Sequence, residues 1–224
     1  MTNKLSRESI RDGHVYRMLR EQQHITNIRP LTDAERGAAM DRFLAHAPEG
    51  PVWVFGYGSL IWNPAFHHAG RETARIWGLH RAFCLKTPLG RGSVETPGLV
   101  LALDNGGSCN GVAYRLPDDA VREELKLVWD REMALDSYRA VWVRAHTPEG
   151  PVNAVTFAIN RASERYAGDL SEAEQVRLLA TASGYLGSCR EYLDNTVAHL
   201  RECGVGDAYL FRLQKLVETY AADG

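Results

Sequence analysis

PVWVFGYGSLIWNPAF, residues 51–66, is an apolar run rich in β-branched and aromatic side chains that breaks into Gly-Tyr-Gly-Ser and then turns apolar again. Val52–Phe55 reads as a strand. A core strand has no need of such a break, so the glycines serve either a turn or a ligand. Gly56 and Gly58 begin a G-x-G, but Ile61 occupies the place of the third glycine. Pro64 also discourages the helix that a dinucleotide fingerprint requires. A P-loop fails for want of Gly-Lys-Ser/Thr, and a nucleophile elbow fails because Ser59 is not flanked as G-x-S-x-G. Two readings remain open. One is a strand end where the backbone approaches a small polar ligand and successive N–H groups form an anion-holding nest. The other is a β-bulge or tight turn that binds nothing.

Outward from this stretch, Arg75–Leu85, Leu99–Leu103, Gly111–Leu116, Tyr138–Ala145 and Val152–Ile159 also read as strands. DNGGSCN (104–110) and TPEGP (147–151) look like hairpin turns rather than helical crossovers, which favours an antiparallel or mixed sheet. PDDAVREELKLVWDREM interrupts the strands as a helix, with Pro117 near its first turn. Ser171 and Ser188 open later amphipathic helices with capping-box spacing, and GDAYLFRLQKLVETY repeats the helical period. Upstream, Thr32 and Glu35 have the same spacing ahead of Met40, Phe43 and Leu44. Residues 1–48 are therefore expected to be a loosely attached extension holding one docked helix. Strands first and helices later imply an α+β fold.

Composition bounds the function. The chain has 224 residues, 45% hydrophobic and 24% charged, with a formal charge of -2. Those are ordinary globular values with no basic field, which argues against a nucleic-acid partner. Cys84, Cys109, Cys189 and Cys203 form no C-x-x-C pair, and the start of the chain lacks a signal-peptide h-region. No apolar run approaches a membrane span. A reduced, cytoplasmic protein with no membrane partner is expected.

VFGYGSLIWNP, GLHRAFCLKT, TPGLVLALD, GVAYRLP, WDREM, YAGDLSEAEQ and TASGYLGSCREYLDNTVAHL, in that order, resemble the ChaC family of γ-glutamylcyclotransferases from about Val52 to Val217. The resemblance implies a γ-glutamylcyclotransferase-like fold, a small mixed β-barrel flanked by helices, filling residues 49–224. It implies a lyase that converts glutathione to 5-oxoproline and cysteinylglycine without cofactor or metal. It further implies that Tyr57, Gly58, Ser59 and Leu60 hold the γ-glutamyl unit while Glu132 transfers protons. Residues 1–48 inherit nothing from it. Tyr192, in GSCREYLDNTV, is a further binding candidate, although its spacing before Val197 and Leu200 also fits plain helix packing.

Helical geometry supports Glu132 separately. With Val121 as origin, Leu125 and Val128 fall within about 40° and Glu132 within about 20°, on one apolar face. Glu123 and Glu124 point elsewhere. Desolvation there raises a carboxyl pKa, as a general base near neutrality requires. The alternative is a structural glutamate paired with Arg131, Arg139 or a backbone donor, and a helix ending at Trp129 or Asp130 would remove the geometry. His67 and His68 lack companion ligands and read as loop residues. GRGSVETPG (90–98) reads as a substrate cover or a plain surface loop, and Cys84 and Cys203 as small apolar fillers. Two other functions stand beside the main one: cyclisation of other γ-glutamyl amines or amino acids, and a non-catalytic regulator of cation transport. Oligomeric state is not legible.

Overall fold

The computed structural model describes residues 5–223. It begins with four helices, α1 (Arg7–Arg11), α2 (His14–Glu21), α3 (Gln23–Thr26) and α4 (Asp33–Leu44). At α4 the expected capping box is complete. Thr32 accepts from the Glu35 N–H, and the Glu35 carboxylate accepts from the Thr32 N–H at 2.8 Å. Met40 is buried, and Phe43 stacks on Trp142 with ring centroids 4.8 Å apart. The sequence anticipates this helix and misses the three before it. Nor is the segment loosely attached, because Ile10, Val15, Leu19 and Met40 lie in the same apolar cluster as the barrel.

The barrel follows: β1 (Trp53–Gly56), β2 (Gly70–Thr87), β3 (Gly98–Arg115), α5 (Val121–Glu132), β4 (Tyr138–Thr147) and β5 (Gly150–Ile159). The five strands close in the order β1-β3-β2-β4-β5. β5 pairs parallel with β1 and antiparallel with β4, so the sheet is mixed. TPEGP is the turn between β4 and β5, as expected. DNGGSCN is not a turn. It lies within β3, which runs unbroken through the two shorter strands read from the sequence. Gly106 and Gly107 adopt φ +94° and +64° opposite a register shift at Trp77–Leu79. Their left-handed backbone makes a bulge that bends the strand around the barrel instead of reversing it. The actual β2–β3 reversal is the loop 88–97.

Pro117 accepts a turn bond from the Ala120 N–H, and α5 starts only at Val121, so the proline precedes the helix and is not in its first turn. Behind the barrel come α6 (Glu172–Thr181), the two-residue strands β6 (Ser183–Gly184) and β7 (Gly187–Ser188), α7 (Cys189–Glu202) and α8 (Ala208–Asp223). Ser171 forms its full capping box. Ser188 makes only half of one, because the Glu191 carboxylate turns to Arg91 at 2.9 Å instead of to the cap N–H. The fold is α+β, a small mixed barrel flanked by helices. Among the described residues no helix is long and apolar enough to cross a membrane.

The N-terminal helices grip α5 at both ends. Arg7 forks onto Glu124, with Nη2–Oε1 at 2.8 Å. At the other end Arg36 Nε meets Asp130 at 3.0 Å, and the Leu31 N–H donates to the Ala134 carbonyl at 2.9 Å. Glu124 is buried, and with Arg7 removed its partners among the described residues are the His67 N–H at 2.8 Å and the His67 ring nitrogen at 3.5 Å. Arg7→Ala is therefore expected to lower the unfolding free energy by about 3 kcal/mol, because it strands a buried charge. Replacing Arg7 and Glu124 together by Met and Leu should cost much less. Urea denaturation at neutral pH measures both.

Candidate active site

β1 ends at Gly56, and the chain turns into a single 3-10 turn, Ser59–Ile61, held by Ile61 N–H to Gly58 C=O at 2.9 Å. A Cβ on Gly58 would come 2.9 Å from the Tyr192 hydroxyl, so a side chain here would displace that phenol. The N–H groups of Ser59 and Leu60 find no acceptor among the described residues, as expected at the start of a short helical turn.

Glu132 is the last residue of α5, so the helix reaches far enough to carry it. Leu125 and Val128 are fully buried on the same face, and the Glu132 side chain is only 14% exposed. Burial pushes its pKa upward, opposed by the positive charge of Arg131. Glu124, eight residues earlier on the same helix, is buried as well and shifts the other way. There desolvation is outweighed by hydrogen bonds from Arg7 and the His67 N–H, and the pKa falls. One carboxylate is thus held ionised as a structural partner while the other is poised to take a proton.

Arg131 joins the turn to the carboxylate. Its Nη2 donates to Ser59 Oγ at 2.6 Å, its Nη1 to the Asn63 carbonyl at 2.6 Å, and its Nε lies 3.1 Å from Glu132 Oε1. The sequence names this arginine only as a charge partner. Its role as a bridge rests on contacts with residues about seventy positions away, which no local spacing encodes. Three phenols also feel the Glu132 charge. Burial first, and then Glu132 among other charges, raises the pKa of Tyr57 and Tyr138 well above the ordinary value and that of Tyr192 to about 12. All three keep their protons near neutrality.

Ser59, Arg131, Glu132, Tyr138, Arg165 and Tyr192 line one cleft of about 860 Å³. Of the candidates read from the sequence, Ser59, Glu132 and Tyr192 come together there, with Gly58 against the Tyr192 hydroxyl. Tyr57 and Leu60 lie behind them in the core. The Tyr57 hydroxyl donates to the Phe157 carbonyl at 2.9 Å, so it braces the loop against β5. Leu5, Val15, Met18 and Leu19 add an apolar outer wall from the N-terminal segment. Gly90 and Arg91 bring the start of the GRGSVETPG loop to the rim. His67 and His68 lie in a loop outside the cleft, and no group of His, Cys, Asp or Glu suited to a metal occurs among the described residues.

Residues 52–220 match the family model described as ChaC-like protein. The chain is 40% identical over 196 residues to the glutathione-specific gamma-glutamylcyclotransferase of Escherichia coli, covering 85% of each. It is 30% identical over 190 residues to the protein of that name from Schizosaccharomyces pombe, covering 75% of this chain and 93% of the relative. The fold matches the crystal structure of a yeast γ-glutamyl cyclotransferase specific to glutathione with a TM-score of 0.70 at 22% identity, over 79% of this chain and 99% of the other.

Because the folded-state pKa of Glu132 lies above its ordinary value of 4.5, the folded protein keeps a proton that the unfolded chain has released. Stability therefore falls as pH rises from that value through the raised one, and is level beyond it. Glu132→Gln removes this loss. The variant is expected to unfold at a higher urea concentration than the parent at neutral pH, with the gap closing toward about pH 4.

Proposed function

The chain belongs to the ChaC family, and on that premise we propose that it is a glutathione γ-glutamylcyclotransferase in which Glu132 is the acid and base. Residues 49–224 form the catalytic domain and residues 1–48 an extension, of which Leu5, Val15, Met18 and Leu19 close the outer side of the cleft. Four cysteines without disulfides suit a reducing, cytoplasmic setting.

The reaction is intramolecular. The α-amine of the γ-glutamyl unit attacks its own γ-carbonyl, forming a five-membered lactam and releasing cysteinylglycine. Holding the folded-back conformer can lower such a barrier by up to about 7–11 kcal/mol. Two proton problems remain: the amine is mostly protonated near neutrality, and the amide nitrogen cannot depart as an anion. A single carboxylate with a raised pKa addresses both, taking a proton from the amine and delivering it to the leaving nitrogen. The free N–H groups of Ser59 and Leu60 are suited to the negative charge that develops on the carbonyl oxygen. Because Arg131 donates to Ser59 Oγ, the hydroxyl proton of Ser59 is free to point toward a substrate acceptor. Gly58 and Tyr192 shape the floor for the γ-glutamyl unit, and Tyr57 and Leu60 hold the turn from behind.

The observation that carries this reading is a desolvated carboxylate facing the glycine-rich turn across one cleft. Nothing in that arrangement serves a purely regulatory protein, for which the desolvation is only a cost. Incubation with glutathione and mass spectrometry of the products is the direct test, with 5-oxoproline and cysteinylglycine expected. Glu132→Gln should fold and release no 5-oxoproline; full activity in that variant would remove the assignment. In Arg131→Met the opposing charge is gone and burial acts alone on Glu132. The acidic limb of the kcat/KM profile is then expected to move to higher pH, as measured by initial rates across the acid range.

A further inference from the structure

Three arginines line the cleft, and two of them have carboxylate partners. Arg131 lies against Glu132, and Arg91 donates to Glu191 at 2.9 Å. Arg165 differs. Its Nη1 donates to Ser137 Oγ at 2.7 Å and its Nε to the Lys86 carbonyl at 3.0 Å, both neutral groups. Nη2 has no acceptor, and no carboxylate lies within ion-pair reach, among the described residues. The backbone at this position is also fixed, because the Lys86 N–H donates to the Arg165 carbonyl at 2.9 Å and Tyr166 bridges to Leu85. The guanidinium is thus anchored from β2 and turned toward the cleft with one fork unused.

An unpaired, desolvated cation is costly, and burial pushes the pKa of Arg165 down. Ser137 and Lys86 satisfy two of its donors and none of its charge. Tyr138, next in sequence to the Ser137 that holds Arg165, lines the same cleft as Glu132. A substrate whose γ-glutamyl unit sits between Ser59 and Glu132 and whose remainder runs past Tyr138 would present its far end to Arg165. In glutathione that end is the glycine carboxylate, an anion that a guanidinium fork can bind in bidentate fashion.

Resting on the glutathione reading above, we propose that Arg165 binds the carboxylate of the leaving cysteinylglycine and sets the preference for glutathione over γ-glutamyl compounds that end without a charge. Such a contact is made alike in the ground state and the transition state, so it acts on KM more than on kcat.

The test compares glutathione with its C-terminal amide in the full-length protein and in Arg165→Met. The parent is expected to favour glutathione by about tenfold or more in kcat/KM, as for a hydrogen-bonded charge pair. In Arg165→Met the KM for glutathione should rise by about tenfold or more with kcat little altered, and the preference should fall toward unity. Arg165→Lys should regain part of it, supplying charge without the fork. An equal loss on both substrates would show a structural role or a contact with the α-carboxylate; an unchanged preference, or a parent that does not discriminate, would equally overturn the proposal. If the parent does not turn over glutathione, the catalytic assignment fails separately. Calorimetric binding of glutathione and its amide to parent and variant then still decides the role of Arg165.

Discussion

The Arg131 guanidinium holds together three parts of the molecule that the chain supplies far apart. It is 7% exposed, and it directs its donors to a serine in the turn after β1, to the carbonyl at the end of that turn, and to the carboxylate beside it. Each contact constrains the next. The absence of a side chain on Gly58 leaves room for the Tyr192 hydroxyl, and Arg131 ties the last turn of α5, which carries Glu132, to the turn after β1. Burial alone would raise the glutamate pKa without limit on its cost. The neighbouring cation opposes that rise and keeps the carboxylate usable as a base.

Helix α5 shows how one element can carry opposite electrostatic tasks. Glu124 and Glu132 are both withdrawn from water, and the difference lies in their partners. Glu124 receives a fork and a backbone N–H and serves as a fixed anchor for α1. Glu132 receives one sideways cation and faces open space. A helix that rotated by one residue would put Arg131 or Met133 in the place of the base.

Much of this arrangement is legible in the order of residues alone. The apolar stripe Val121, Leu125, Val128 predicts that Glu132 is buried, and the Gly-Tyr-Gly-Ser break marks the strand end that faces it. Capping boxes at Thr32 and Ser171 appear as read. The errors have local physical causes. DNGGSCN has turn composition, yet its left-handed glycines bend a strand when the partner strand is long enough to continue pairing. Glu191 has capping spacing, yet Arg91 is a stronger partner than a backbone N–H. Helices α1 and α3 are too short for a helical period to register, whereas α2 carries Val15, Met18 and Leu19 at helical spacing and is legible in the sequence. The bridge made by Arg131 and the unpaired state of Arg165 depend on tertiary placement and are invisible to spacing.

The grip of the N-terminal helices on α5 also bears on the order in which the molecule is made. Arg7 and Glu124 are separated by 117 positions, so α1 leaves the ribosome long before its partner exists. Contacts of such span are slow to form, because the intervening chain must first be ordered. The α1 helix can dock only once α5 is in place, and the apolar outer wall of the cleft depends on that late contact.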